Sequence, residues 1–197
     1  MEIQNFILPG NYLTCIYGKP ATGKTNICIA IAAHYSKLGK VAFIDTENTF
    51  IPTRFKELGG NLDNLIVYNA KTFSEQLKSV QSLVKIASKL KLVVVDSLTR
   101  HYRGLIKENH ETNSKFSKHL SELSDLTRKN VPVLLTSQVY STEKNIEMIG
   151  SGMLRNWSAA IVRLENEPKR SALIEKHPVN EIKSINLEIK ANEICCL

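Results

Sequence analysis

The residues able to do chemistry fall in three short runs and one single position. Gly18, Lys19, Pro20, Ala21, Thr22, Gly23, Lys24 and Thr25 read G-x-x-x-x-G-K-T. The run follows an apolar, β-rich stretch and opens a helical one, the context of a loop whose backbone amides wrap phosphate. Gly18 and Gly23 permit close backbone approach, and the new helix adds the positive end of its dipole. Lys24 brings a point charge to the β- and γ-phosphates of a nucleotide, and Thr25 a hydroxyl to magnesium. Chance spacing of Gly and Lys in a turn is the competing explanation, and the strand before and helix after weigh against it. A dinucleotide fold is disfavoured, because no G-x-G-x-x-G occurs.

The run LVVVD ends an apolar strand on Asp96. Beside a phosphate loop such an acid holds magnesium through water; alone it would be a strand-terminal Asp capping the next turn. FIDTE, residues 43–47, ends another strand with two carboxylates around Thr46. A carboxylate at the sheet edge near a γ-phosphate can orient and polarise water, the general-base role of a hydrolase. Glu47, beyond the strand end, is the candidate base, and Asp45 a local hydrogen-bond acceptor. The other reading is a solvated acidic turn. Gln138 stands at the end of the strand after LVVVD. Its neutral amide can touch a γ-phosphate and the following loop at once, and so report the nucleotide state; it reads equally as a surface polar residue.

These groups need a sheet to bring them together. Apolar runs at 12–18, 41–45, 65–68, 92–96 and 131–139 read as buried strands. Thr25 to Leu38, stopped by Gly39, reads as a helix. Phe73, Leu77, Val80, Val84 and Ala87 recur at helical spacing, as do Phe116, Leu120, Leu123 and Leu126. Strand alternating with helix implies an α/β fold, a mainly parallel central sheet flanked by helices. Residues 159–165, 171–176 and 184–190 are short strands with turn-sized gaps, and Pro168, Lys169 and Arg170 read as a hairpin turn. These C-terminal strands are expected to extend the sheet partly antiparallel. Tyr140 to Ser158, polar and with Gly150 and Gly152, reads as a long irregular loop.

Composition sets outer limits. The 197 residues are 43% hydrophobic and 23% charged, ordinary for one folded domain. The net charge of +7, from 26 Lys and Arg against 19 Asp and Glu, tolerates an anionic partner without requiring one. Cys15 and Cys28 sit in apolar runs as small buried hydrophobes, and with Cys195 and Cys196 form no C-x-x-C pair for zinc. No signal-peptide pattern or bilayer-length apolar run is present, so a cytoplasmic protein with no membrane partner is expected.

The ordered set of phosphate loop, DTE, apolar strand with Asp and strand ending in Gln resembles the RecA-type recombinases. FIDTENTFIPTRF, LVVVDSLTRHYRG and SALIEKHPVNEI resemble more closely the archaeal RadB-type branch, short paralogues of the strand-exchange protein RadA, over nearly the whole chain. The resemblance implies a single RecA-like P-loop NTPase domain over residues 1–197, without the helix–hairpin–helix domain of full recombinases. It implies ATP and Mg2+ as cofactors, single-stranded DNA and a RadA-type recombinase as partners, and weak or slow ATP hydrolysis in recombination and repair. Other repair proteins and a second copy of the chain stay open as partners. Gly23, Lys24 and Thr25 match the family's phosphate and magnesium residues, Asp96 the Walker B acid, Glu47 the catalytic carboxylate and Gln138 the sensing glutamine. Arg54 stands where relatives place an arginine near adenine. Departures are Asn48 where glycine usually follows DTE, and Ser137 where asparagine usually precedes the sensor. The aromatic plug for polymerisation is not recognisable.

Recombinases bind DNA through loops after the Walker B strand and after the sensor. The first candidate here is Arg100, His101, Arg103 and Lys107, with Tyr102 as an aromatic for base stacking. A solvated basic turn is the alternative. The second is Lys144 to Arg155, with Trp157 beyond it read as packing. Lys169, Arg170, Lys176 and His177 could instead face a neighbour's nucleotide or the DNA. A different class of function is a non-hydrolysing, ATP-gated regulatory module acting through protein partners. A small-molecule kinase is disfavoured, because no arginine-rich lid is evident and the DTE–Gln pair has no role there.

Overall fold

Strands such as LVVVD carry no polar alternation because both their faces are covered. The computed structural model describes residues 3–8, 10–106, 110–141, 146–179, 184–190 and 193–196. The helices are α1 (Ile3–Ile7), α2 (Lys24–Ser36), α3 (Pro52–Glu57), α4 (Phe73–Lys85), α5 (Arg100–Leu105), α6 (His110–Arg128) and α7 (Ser151–Trp157). The strands are β1 (Leu13–Gly18), β2 (Lys40–Asp45), β3 (Leu65–Asn69), β4 (Leu90–Asp96), β5 (Val133–Ser137), β6 (Val139–Ser141), β7 (Ile146–Met148), β8 (Ala160–Glu165), β9 (Ser171–Lys176), β10 (Ser184–Ile189) and β11 (Ile194–Cys196).

Among the described residues nine strands form one sheet in the order β11-β10-β9-β8-β1-β5-β4-β2-β3. From β3 to β8 every neighbouring pair is parallel. From β8 to β11 the pairs turn antiparallel. The α/β architecture expected from the sequence is therefore the one adopted, down to the change of direction at the hairpin after Glu165. Alternate residues divide between two cores. Cys15, Tyr17, Val93, Val95 and Leu135 pack with Phe73, Val80, Phe116 and Leu120 on one face. Ile16, Leu92, Val94 and Leu134 pack with Ile27, Ile31 and the short helix α1 on the other. This two-sided burial is what parallel crossovers require. Among the described residues no helix is long and apolar enough to cross a membrane.

The segment from Tyr140 to Ser158 corrects the sequence reading. The strand begun at Val133 ends at Ser137, and Val139–Ser141 pairs antiparallel with Ile146–Met148 as a separate hairpin. Helix α7 follows, entered through Gly150 in a left-handed conformation, with Leu154 buried and Met153 and Trp157 against the core. Strands of three residues and a helix of seven show too little periodicity to be read from sequence. Trp157 packs as expected. Lys107 and Lys144 lie outside the described residues.

Helix α4 starts on a reciprocal cap: Thr72 Oγ1 accepts from Glu75 N at 3.1 Å and Glu75 Oε2 from Lys71 N at 2.8 Å. It meets α6 across a buried polar pair. Gln76 Nε2 donates to the Leu98 carbonyl at 3.1 Å and lies 3.1 Å from His119 Nε2. The amide is the donor, so the imidazole accepts and is neutral. Burial pulls the His119 pKa from 6.5 down to about 3. The unfolded chain takes a proton near 6.5 and the folded chain does not until about 3, so unfolding binds a proton in that window. Stability therefore falls as pH drops below 6.5. Urea midpoints across that window should show a loss of roughly 1 kcal/mol per pH unit from this residue. In His119→Gln the stability at neutral pH should be lower and this slope reduced; an unchanged slope would show that another group carries it.

Candidate functional site

The chemistry-bearing residues stand where parallel strands end. β1 runs into the loop at Lys19–Gly23 and then α2, β2 into Thr46 and Glu47, β4 ends on Asp96, and β5 is followed by Gln138. In open α/β sheets that carboxyl edge is where ligands bind. Gly23, with φ 98, begins α2 in a conformation that side chains rarely adopt. A Cβ there would also lie 2.5 Å from Ile189 Cδ1.

Asp96 is 3% exposed, and both its oxygens are occupied. Oδ2 accepts from Thr25 Oγ1 at 2.7 Å, and Oδ1 accepts a short hydrogen bond from Thr136 Oγ1. Burial raises its pKa, the two hydroxyls oppose that rise, and the Glu47 and Asp45 charges add to it. Lys24 Nζ donates to the carbonyls of Gly18 at 2.8 Å and Lys19 at 2.9 Å, so the ammonium is pinned across the loop. Burial lowers its pKa, against the pull of Asp96 and Glu47.

The DTE turn is sewn to the end of β4. Thr46 N donates to the Asp96 carbonyl at 2.9 Å, Thr46 Oγ1 donates to the Ser97 carbonyl at 2.8 Å, and Ser97 N donates back to Thr46 Oγ1 at 2.9 Å. Asp45 closes the turn as expected, accepting from Glu47 N at 3.1 Å and Phe50 N at 2.8 Å. Asn48 has φ 56. The position demands a left-handed residue, and asparagine tolerates that conformation better than most, which accounts for its standing where glycine is usual.

Gln138 joins this turn to the far side of the site. Its Nε2 donates to Glu47 Oε1 at 2.8 Å. Its backbone N donates to Thr99 Oγ1 at 2.9 Å, and its carbonyl accepts from Ile149 N at 3.0 Å. Ser137, in place of asparagine, donates its hydroxyl to the Gln138 carbonyl at 2.8 Å.

Two openings result. A cleft of about 500 Å³ is lined by Gly23, Lys24, Thr25, Glu47, Asp96 and Arg170. A smaller mouth of about 150 Å³ is lined by Gly18, Pro20, Lys24, Glu47, Gln138 and Arg103. Ammonium, loop amides and helix start fit phosphate, and the buried Gln138 Oε1, without a partner among the described residues, marks an unfilled polar position. Two hard oxygens, Thr25 Oγ1 and Asp96 Oδ2, stand 2.7 Å apart beside the cradle and fit magnesium, which keeps phosphate and water oxygens in its shell.

Of the remaining sequence candidates, Arg103 is exposed at the smaller mouth and Arg100 is exposed on the same helix. His101 bonds the Ala70 carbonyl at 2.8 Å. Tyr102 overturns the stacking expectation: it is buried and lies on Phe116, ring centroids 3.9 Å apart and planes at 9°. Its partner comes from α6, which the local basic context could not reveal. Arg54 does not line the cleft; it donates to the Lys190 carbonyl at 2.6 Å, one residue beyond Ile189, which does. Arg155 pairs with Glu175 at 3.3 Å and Glu147 at 3.8 Å, and Lys176 donates to the Arg155 and Ser158 carbonyls, so both are engaged in the fold. Sequence reasoning left Arg170 unplaced and missed Ile189; only the direction of the antiparallel edge brings them to the loop.

Residues 7–156 match the Rad51 family. The chain is similar to the DNA repair and recombination protein RadB of Methanocaldococcus jannaschii, with 38% identity covering 87% of this chain and 88% of that protein. The RadB of Methanococcus maripaludis strain C7 is 35% identical, covering 89% of this chain and 87% of its own. A crystal structure of the RadB recombinase superposes with a TM-score of 0.82 at 29% identity, covering 96% of this chain and 94% of that one. With its RecA-like sheet and the ordered loop, DTE turn, Asp96 and Gln138, the chain belongs to the Rad51 family, in the RadB-type branch.

Proposed function

We propose that this RadB-type DNA repair and recombination protein is a magnesium–ATP clamp that binds single-stranded DNA, turns ATP over slowly and assists a RadA-type recombinase. The observation that carries the reading is the triple attachment of Gln138: side chain to Glu47, backbone to Thr99 ahead of α5, and carbonyl to Ile149 after the β6–β7 hairpin. The loop amides and Lys24 would hold the polyphosphate, and Thr25 and Asp96 would hold magnesium. Magnesium, when bound, neutralises charge on the phosphate oxygens. Glu47 would take the proton of an attacking water. Its Oε1 already accepts from Gln138, so an attacking water would have to share that carboxylate with the amide, in keeping with slow turnover. A γ-phosphate competes with Glu47 for the same amide. The backbone of the same residue is linked to α5 through Thr99 and to the hairpin through Ile149, the two segments that stand where the family's DNA loops do, so the exchange would be passed to them.

For DNA, the exposed Arg100 and Arg103 offer charge without a stacking ring, since Tyr102 is buried. Binding should then be dominated by phosphate contacts. Anisotropy of a labelled oligonucleotide should show affinity falling steeply between about 50 and 200 mM salt. Arg103→Ala should weaken binding several-fold and flatten the salt slope by about one unit. Lys24→Ala should abolish the effect of magnesium-ATP and keep the nucleotide-free affinity. Absence of salt-sensitive binding in every nucleotide state would remove DNA from the reading.

The Gln138–Glu47 bond also favours one alternative, a gated module that binds ATP without hydrolysis and acts through protein partners. Turnover separates the two. With hydrolysis, Glu47→Gln should retain ATP affinity and lower the rate about a hundredfold. A wild-type rate indistinguishable from background and unchanged in the variant supports the module.

A further inference from the structure

Arg170 lines the cleft with no hydrogen-bond or carboxylate partner for its side chain among the described residues. It ends the turn after Pro168, and its carbonyl accepts from Leu187 N at 2.8 Å, which anchors its backbone between β9 and β10. Its side chain reaches across to the phosphate loop, with Nε 3.8 Å from the position a Gly23 Cβ would take. Ile189 Cδ1 packs on Gly23 beside it, so the antiparallel edge rests on the start of α2. Among the described residues the buried Arg170 Nε has no hydrogen-bond partner, and no carboxylate pairs with the guanidinium. A buried guanidinium nitrogen left unpaired is costly and calls for a ligand. The two cleft carboxylates are already engaged, Asp96 by Thr25 and Thr136, and Glu47 by Gln138.

We propose that Arg170 is an intramolecular phosphate ligand, delivered by the β8–β9 turn onto the bound nucleotide of the same chain. The inference rests on reading the cleft as a nucleotide site and adds the residue that closes it. Arg170 lines the larger cleft, with Gly23, Thr25 and Asn26, and does not line the smaller mouth where Gln138, Glu47 and Arg103 meet. It therefore grips the part of the polyphosphate common to nucleoside di- and triphosphates, while Gln138 and Glu47 read the third phosphate. A planar fork suits this contact better than an ammonium would. Nucleotide binding then ties the C-terminal edge of the sheet to α2 through one side chain.

The test is equilibrium binding of magnesium-ATP and magnesium-ADP to the full chain, in wild type, Arg170→Ala, Arg170→Lys and Lys24→Ala. Arg170→Ala should weaken ATP and ADP by the same factor, about tenfold, and Arg170→Lys should fall between. The nucleotide-free melting temperature should stay unchanged in both, because the side chain makes no hydrogen bond among the described residues. Hydrogen exchange in β9 and β10 should slow on adding ADP in wild type but not in Arg170→Ala. Wild-type affinity for both nucleotides in Arg170→Ala, with binding lost in Lys24→Ala, would overturn the arginine and leave the cleft reading standing. A loss confined to ATP would overturn its assignment to the shared phosphates. Absence of nucleotide binding in wild type would remove the cleft reading, and the arginine with it.

Discussion

The site is organised around one buried carboxylate. Asp96 sits at 3% exposure, and an ion there is tolerable only if its oxygens are satisfied. They are satisfied by the hydroxyls of Thr25, at the start of α2, and Thr136, on β5. One side chain thereby locks β4, β5 and the phosphate loop to one another. Its own carbonyl and that of Ser97 accept from Thr46, so the DTE turn is fixed to the same point. The position of Glu47 follows from these links, and that of the Gln138 amide from Glu47 and Thr99. Loss of the carboxylate would leave two hydroxyls and a helix start without their reference.

Residues that make long, two-sided contacts were legible in the sequence, and those defined by a distant partner were not. LVVVD and VAFID announce themselves because burial on both faces demands continuous apolar runs. The loop, Asp96, Glu47 and Gln138 were legible because each stands at a strand end next to a recognisable pattern. Tyr102 was not: flanked by His101 and Arg103, it looks solvent-facing until Phe116 arrives from α6 to stack on it. The hairpin and helix between Tyr140 and Ser158 are too short to show a period, and their stability comes from Leu154 and Met148 packing on the core. Arg170 reads as a basic turn because nothing local says which way an antiparallel edge will swing.

The cations of the chain are unevenly committed. Arg155 and Arg163 converge on Glu175, which also accepts from the Tyr17 hydroxyl at 2.6 Å. Burial and this carboxylate hold the Tyr17 phenol well above its ordinary pKa, so it remains a donor. The cluster clamps α7 to β9 and to the strand that feeds the phosphate loop. Arg155 is therefore structural, and the segment after the sensor reaches the nucleotide loop through packed side chains as well as through Gln138. The cations outside the cluster are those the proposals above assign to phosphate: Lys24 and Arg170 lining the cleft, and the exposed Arg100 and Arg103 on α5.

That division bears on whether ATP here is fuel or signal. In the proposed hydrolysis an attacking water would need Glu47, and Gln138 already holds its Oε1. Gln138 joins that side-chain contact to a backbone fixed at two points, by Thr99 and Ile149. Ser137 reinforces the coupling, because its hydroxyl bridges the carbonyls of Gln138 and Ile149 at 2.8 and 3.3 Å. An asparagine at that position would carry a longer side chain with a different donor geometry. The arrangement ties Glu47 to the path from the cleft to the hairpin, and on that link rests the proposal that ATP serves here as a signal more than as a fuel.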